Sequence, residues 1–192
     1  MRSRIFLILA IFTATAQPAA DGPQFTANGE LLRPKNYREW IFLSSGLGMT
    51  YGPAAQANNG NPKFDNVFVN PPSYRAFLET GRWPDKTILM LEVRSATEKG
   101  SINNGGHYQS DIVALEAAVK DEARFPKKWA YFGLGNADRA TARPDTSTCN
   151  ACHGSNAAVE NTFVQFYPTL LEVATRKGTL NPSYLKAATP AH

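Results

Sequence analysis

Both cysteines of the chain lie within five residues of a histidine near the carboxyl end. They form the sequence Cys149-Asn150-Ala151-Cys152-His153. In a C-x-x-C-H sequence each thiol can form a thioether with one vinyl group of a porphyrin, while the adjacent imidazole binds the iron. The sequence therefore predicts one haem c, attached covalently through two thioethers by Cys149 and Cys152, with His153 as the proximal iron ligand.

Three other uses of the same cysteines compete with haem attachment. A thioredoxin-like redox pair needs a βαβ pattern beside the cysteines, and none precedes them. A zinc site needs about four ligands, and the only other imidazoles belong to His107 and His192. A disulfide suits an oxidising compartment but leaves His153 without a role. Covalent haem is the interpretation that uses all three residues.

The second axial position of the iron decides what such a haem can do. No Met follows His153, which excludes the layout in which a Met ligand comes after the attachment motif. Met49, Met90 and His107 lie upstream. We interpret the two methionines as core packing and His107 as a locally bonded side chain of a turn. The sequence therefore favours a five-coordinate iron with one open position.

An open iron position needs a pocket that admits a small ligand. Phe42, Phe68 and Phe132 lie on predicted strands, and aromatic side chains can enclose a dry cavity for a diatomic molecule. We name these three as candidates for the distal pocket. Glu79, Glu116 and Asp111 are conceivable distal acids, but no proton donor is assigned from the sequence.

The first 16 residues have the features of a signal peptide. A basic start, "MRSR", precedes the apolar run "IFLILAIF" and an A-x-A site at residues 14–16. The apolar run is shorter than the roughly 20 residues that cross a bilayer, so we expect no membrane span after cleavage and a periplasmic mature chain beginning at Gln17. Cleavage removes two of the 20 basic side chains and none of the 16 acidic ones, so the net charge falls from +4 to +2. No dense basic run remains to bind nucleic acid.

The rest of the chain is predicted to form one domain between two loosely structured ends. Residues 17–33 are predicted to be a linker or N-terminal arm, residues 34–176 a single mono-haem domain, and residues 177–192 a flexible tail. Aromatic and β-branched runs predict strands beginning near residues 39, 65, 86 and 128, whereas residues 110–125 fit a helix or a strand equally well. Helices are predicted over 73–80, ending at Gly81, and from Asp145 or Ser147 through the cysteines. A closing helix is predicted over residues 162–178, with an interruption at Pro168.

Several stretches together resemble the cytochrome P-460 family and its gas-binding relative, cytochrome c-prime-beta. The matching stretches lie between residues 34 and 172 and are "PKNYREW", "FDNVFVNPPSYRAFLETGRWPDKT", "LEVR", "GSINNGG", "ALEAAVKDEARFP", "KWAYFGLG", "CNACHG" and "TFVQFYPTLL". The resemblance implies an α+β fold in which an antiparallel β-sheet is flanked by helices, with c-type haem attached near the C-terminus. It also implies a homodimer, and it identifies residues 110–125 as strand.

The resemblance also bears on activity. Family members that oxidise hydroxylamine tie the porphyrin to a Lys, which in the family pattern falls in the segment matching "SYRAFLETG"; here that segment has no Lys, and Leu78 and Glu79 stand near the expected place. We therefore expect no cross-link. The first hypothesis is an exported cytochrome that binds, and can slowly transform, nitric oxide or a similar nitrogenous ligand. The alternatives are a hydroxylamine-oxidising enzyme that passes electrons to a partner cytochrome, and an electron carrier with Met49, Met90 or His107 as sixth ligand.

Overall fold

The computed structural model describes residues 21–51 and 61–188. The predicted signal peptide, residues 1–16, and His192 lie outside these ranges. Within them, no helix is long and apolar enough to cross a membrane.

An antiparallel sheet of five strands forms the centre of the fold, with the strands in sequence order from β2 to β6. A second sheet pairs β1 with β7. The strands are β1 (Leu31–Leu32), β2 (Ile41–Leu47), β3 (Lys63–Val69), β4 (Ile88–Thr97), β5 (Tyr108–Lys120), β6 (Trp129–Gly133) and β7 (Arg139–Ala140). The predicted α+β class with an antiparallel sheet is confirmed.

Of the ambiguous residues 110–125, those up to Lys120 belong to strand β5, whereas residues 121–125 lie outside the strand in a turn. In β5 the side chains of Leu115, Ala117 and Val119 are buried, while those of Glu116 and Ala118, between them, are only half-buried. This alternation follows from the period of two in a strand, which sends successive side chains to opposite faces of the sheet. Pairing with β4 along most of its length outweighs the helix propensity of the alanines and glutamates.

The described part of the chain contains four α-helices beside the sheet: α1 (Pro71–Thr80), α2 (Thr148–Asn156), α3 (Pro168–Lys177) and α4 (Pro182–Ala188). Helix α1 begins two residues before the predicted Ser73, because proline is well tolerated in the first turn of a helix. It ends as predicted at Gly81, whose φ of 72° is accessible to glycine at little cost. Helix α3 begins at Pro168, after a short 3-10 turn at Val164–Phe166.

The two faces of the central sheet differ in how completely the protein covers them. We call one the closed face: Tyr37, Met90, Leu115 and Phe132 are buried there under the segment that precedes β2. We call the other the open face. Helices α1 and α3 pack on one part of it through Phe77, Leu170 and their neighbours. The remainder of the open face is the wall of a cavity beside α2.

Both predicted loose ends contain packed structure in the described residues. Leu31 is fully buried, and the ring of Phe25 packs against Phe125 and Phe132, so this part of the predicted linker or N-terminal arm packs on the closed face as an arm. After residue 177, Thr179 donates a hydrogen bond to the Gly81 carbonyl, and α4 follows. Both ends of the domain are rich in turn residues, but a few side chains, such as Leu31 and Thr179, attach them to the rest of the fold.

Candidate functional site

A cavity of about 470 Å³ lies between the open face of the sheet and α2. Its walls come from β2 to β6, from α2 and from the segment that leads into α3. They are formed by Ser44, Gly46, Met49, Tyr51, Asp65, Val67, Leu89, Leu91, Glu116, Ala117, Ala118, Tyr131, Thr148, Cys149, Cys152, His153, Thr162, Phe163, Phe166 and Tyr167. All three residues of the predicted haem motif are in this wall.

Helix α2 presents the two cysteines to the cavity. The helix begins after Ser147, one of the two predicted start positions. Cys149 and Cys152 stand three residues apart, so they share one side of the helix. Both are half-buried and no disulfide joins them. Asn150, between them, is buried and donates a hydrogen bond of 3.2 Å to the Pro144 carbonyl, which fixes the start of the helix.

The imidazole of His153 is held by one hydrogen bond and two rings. Its Nδ1 lies 2.8 Å from the carbonyl oxygen of Asn161. The ring centroids of Tyr131 and Phe163 lie 4.3 Å and 4.2 Å away. Burial lowers the pKa of His153, which favours the neutral ring. A neutral imidazole that donates its Nδ1 proton to a carbonyl keeps its Nε2 lone pair free to bind a metal.

These residues fit a covalently held haem. Two free thiols and an imidazole with an available Nε2 are the groups that c-type haem attachment requires. The wall opposite α2 also fits, since Val67 and Leu91 are only half-buried although they lie on strands in the middle of the sheet. Apolar side chains at such positions are normally covered, so this surface suits a large apolar group.

Two carboxylates share this wall. Asp65 on β3 and Glu116 on β5 both line the cavity. Burial raises the pKa of Asp65, and the nearby Glu116 carboxylate raises it further, against the opposing effect of Lys63. Glu116 accepts a hydrogen bond of 3.3 Å from Arg143, which is not among the lining residues. Of the conceivable acids named from the sequence, the structure brings only Glu116 to the cavity.

The three residues considered as a sixth ligand lie in different places. Met90 is fully buried in the core of the closed face. His107 pairs with Glu98, its Nε2 lying 2.8 Å from a carboxylate oxygen, and it does not line the cavity. Met49 does line it. A Cβ at Gly46 would lie 2.2 Å from Met49 Sδ, so the glycine makes room for the Met49 side chain against β2.

The three predicted distal phenylalanines do not line the cavity, which corrects that prediction. Phe42, Phe68 and Phe132 stand in one cross-strand row with the fully buried Met90. Side chains in such a row share a face of the sheet, and this row is on the closed face. Phe132 is buried in its core, Phe68 packs against Tyr37, and Phe42 is 53% exposed.

No lysine lines the cavity, although all lysines of the chain lie in the described residues. The segment compared with the family's cross-linking Lys forms α1, and none of its residues lines the cavity either. Leu78 is 38% exposed on that helix and Glu79 is also exposed. Leu78 and Glu79 therefore do not mark a place where a side chain could reach the haem. The expectation of no Lys beside the haem stays a prediction, now supported by the cavity wall.

Sequence reasoning missed Asp65 in the cavity wall and the three residues that contact the imidazole, Asn161, Tyr131 and Phe163. Tyr131 and Asp65 lie on strands that were correctly predicted, but their alternation alone does not say which face of the sheet carries the site. Asn161 and Phe163 follow the motif within ten residues of His153. Their proximity in sequence was the only available signal.

The sequence model of the family described as Cytochrome P460 matches residues 34–164 of the chain. This range includes the whole central sheet and α2. No curated protein matches the chain significantly.

Proposed function

Since the chain belongs to the cytochrome P460 family, we propose that it is an exported c-type cytochrome with a single haem, whose iron keeps one axial position open for a small nitrogenous ligand. The observation that carries the proposal is the convergence of Cys149, Cys152 and the half-buried, carbonyl-bonded imidazole of His153 in one cavity. The finer parts of the proposal, namely the covalent bonds, the open position and the ligand, rest on the arguments below.

Each residue of the motif has a separate role. When bound, the haem would supply an iron that takes a ligand and exchanges electrons. Cys149 and Cys152 would hold the porphyrin against the open face of the sheet. His153 would bind the iron from the side of α2, with its orientation fixed by the Asn161 carbonyl and by the rings of Tyr131 and Phe163.

The open axial position follows from what the cavity wall offers as a second ligand. Besides the residues of the motif, Met49 is the one lining residue with a soft donor atom among the described residues. Its sulfur packs beside Gly46 on β2 and accepts a weak contact of 3.8 Å from the Tyr51 hydroxyl. We therefore favour ligand binding over simple electron transfer.

The charge of the wall indicates the class of ligand. Asp65 and Glu116 are the charged side chains that line the cavity, and no lysine or arginine is among the lining residues of the described chain. Carboxylates in a partly desolvated cavity repel anions such as nitrite or azide and tolerate neutral or cationic molecules. Nitric oxide and hydroxylamine are neutral near neutral pH, so both suit this wall.

Asp65 and Glu116 favour hydroxylamine oxidation as the second candidate function. Oxidation of hydroxylamine releases protons, and a carboxylate in the cavity can accept them. Against this candidate stands the wall without lysine, because the family's hydroxylamine-oxidising members tie their porphyrin to one. We therefore place nitric oxide binding first and hydroxylamine turnover second.

Absorption spectroscopy of the haem-loaded protein, made in a host that matures c-type cytochromes, tests the proposal. We expect a five-coordinate spectrum that converts on adding nitric oxide to the ferrous protein and on adding hydroxylamine to the ferric protein. Azide is the matched anionic control, and Asp65→Asn should strengthen its binding. A six-coordinate low-spin spectrum before any ligand is added, lost in Met49→Leu, would instead establish electron transfer.

Partners and location complete the proposal. We propose a periplasmic homodimer that exchanges electrons with another cytochrome. Size-exclusion chromatography with light scattering tests the dimer, and cell fractionation tests the export predicted from residues 1–16.

A further inference from the structure

The carbonyl oxygen of Asn161 accepts two hydrogen bonds in the cavity wall. One comes from Nδ1 of His153 at 2.8 Å, and the other from the hydroxyl of Tyr131 at 3.1 Å. The Tyr131 ring also packs on the imidazole, with centroids 4.3 Å apart. Tyr131 therefore touches His153 through its ring and competes with it for the same oxygen.

The peptide that carries this oxygen is fixed from both sides. Before it, Glu160 accepts hydrogen bonds from Nζ of the buried Lys120 at 3.0 Å and from Trp129 Nε1 at 3.3 Å. After it, Thr162 bonds back to the Val159 carbonyl. Because the oxygen cannot move toward one donor without disturbing these bonds, the two hydrogen bonds share a stationary acceptor.

We propose that Tyr131 is a positioning residue that weakens the hydrogen bond from His153 to Asn161, and so sets the electron density which the imidazole can give to a bound iron. An oxygen that already accepts one proton donor is a poorer acceptor for a second, because part of its negative charge is neutralised. A weaker bond at Nδ1 makes the imidazole a weaker donor at Nε2. The phenolic proton stays in place because burial raises the pKa of Tyr131.

The inference rests on the proposed function, since it concerns the iron ligand. Its consequence is a haem that is held in the ferrous state more easily than one whose histidine has the carbonyl to itself. For a site that takes nitric oxide, which binds ferrous iron tightly, this effect keeps the protein in its receptive state.

Tyr131→Phe in the haem-loaded protein tests the inference, because it removes the hydroxyl and keeps the ring. We expect the midpoint potential to become more negative and the iron–histidine stretching frequency of the ferrous protein, measured by resonance Raman, to rise. Tyr37→Phe removes a buried hydroxyl from the closed face and should change neither quantity. A fluorinated tyrosine at position 131 is a stronger donor and should shift the potential in the opposite direction.

The outcomes separate this inference from the proposed function. If Tyr131→Phe binds haem but leaves both quantities at their wild-type values, or raises the potential, Tyr131 has no influence on the ligand and the inference is wrong. Should Tyr131→Phe fail to fold, an unshifted potential in the fluorinated protein overturns the inference in the same way. A wild-type protein without haem would overturn the proposed function, and this inference with it.

Discussion

The same five strands build two faces with different properties. On the closed face, Met90 and Phe132 are fully buried by the protein's own residues. One residue away along the strands, Val67, Leu91 and Glu116 form a row that remains half-buried and lines the cavity. The core of the closed face is buried by the protein's own residues, whereas the open face leaves apolar side chains and two carboxylates in the wall of a cavity.

The carboxylates of the two faces differ in the same way. Glu92 on the closed face is 2% exposed and accepts hydrogen bonds from Tyr37, Arg38 and Arg94, the Arg38 guanidinium lying 2.7 Å away. Asp65 on the open face has no such set of partners among residues 21–51 and 61–188, and its pKa is raised by burial. A carboxylate with its charge fully paired serves the fold, while a half-buried one in a cavity is available for chemistry.

Changes in the motif should have the largest effect, because they remove the group that the open face receives. We expect Cys149→Ser combined with Cys152→Ser to abolish covalent haem, and His153→Ala to abolish the ligand response of any haem that is retained. Haem staining of a denaturing gel measures the first change, and ligand titration the second.

The matched controls for the motif lie away from the cavity. Met90→Leu and His107→Ala change a buried sulfur and a paired imidazole, and both should keep the haem stain and the ligand response. Loss of haem in either control would show that the closed face or the β4–β5 hairpin takes part in attachment.

Substitutions in the two apolar rows should separate stability from haem binding. Phe132→Ala on the closed face removes a buried ring and should lower the free energy of unfolding by about 3–5 kcal/mol with or without haem. Leu91→Ala on the open face should cost roughly 1 kcal/mol in the haem-free chain, since its side chain is half-buried there, and more once haem covers it. Chemical denaturation of both forms measures this. An equal cost for Leu91→Ala in both forms would contradict burial of Leu91 by haem.

The pH dependence of stability should differ in sign between the two carboxylates. Burial alone would raise the pKa of Glu92, but hydrogen bonds from Arg94, Tyr37 and Arg38 outweigh it, and the pKa lies below its ordinary value. The ionised Glu92 therefore stabilises the fold, and this contribution is lost as pH falls below about 4.3 and through the folded pKa. Because the pKa of Asp65 is raised in the folded protein, its ionisation lowers the free energy of unfolding as pH rises above about 3.9 and through the folded pKa.

Two variants test the opposite contributions of Glu92 and Asp65 to the free energy of unfolding. Glu92→Gln should lower the free energy of unfolding at neutral pH by about 2–3 kcal/mol and flatten its fall in acid. Asp65→Asn should raise the stability of the haem-free chain slightly at neutral pH. Thermal unfolding across pH 3–7 measures both. If Asp65→Asn lowers stability at neutral pH, the carboxylate is paired rather than strained.

The elements of this fold were more predictable than their faces. Strands near residues 39, 65, 86 and 128 and the helix ending at Gly81 follow from local propensity and turn residues, which act over a few positions. The C-x-x-C-H spacing likewise carries its chemistry in consecutive residues. The cavity lies on the face of β3, β5 and β6 against which α2 packs. This long-range contact cannot be predicted from the alternation of apolar and polar residues along the strands.

The mistaken placement of Phe42, Phe68 and Phe132 illustrates this limit. Large aromatic side chains on strands predict burial correctly, and two of the three are at least half-buried. The cavity wall on β3 and β4 instead carries the half-buried Val67, Leu91 and Asp65, and its aromatic side chains, such as Tyr131 and Phe163, come from other parts of the chain. Of the two descriptions given for this part of the chain, a linker or an N-terminal arm, the packing of Leu31 and Phe25 favours an arm, and sequence could not decide because both are isolated apolar residues among turn formers.

Mass spectrometry of the peptide that contains residues 149–153 tests the central claim most directly. The protein should be purified from a host that matures c-type cytochromes and then digested. We predict one haem on this peptide, bound through Cys149 and Cys152 and joined to no other side chain of the protein. A peptide of unmodified mass would contradict haem attachment on the open face. A further bond from the porphyrin to another residue would contradict the prediction that no lysine cross-link is present.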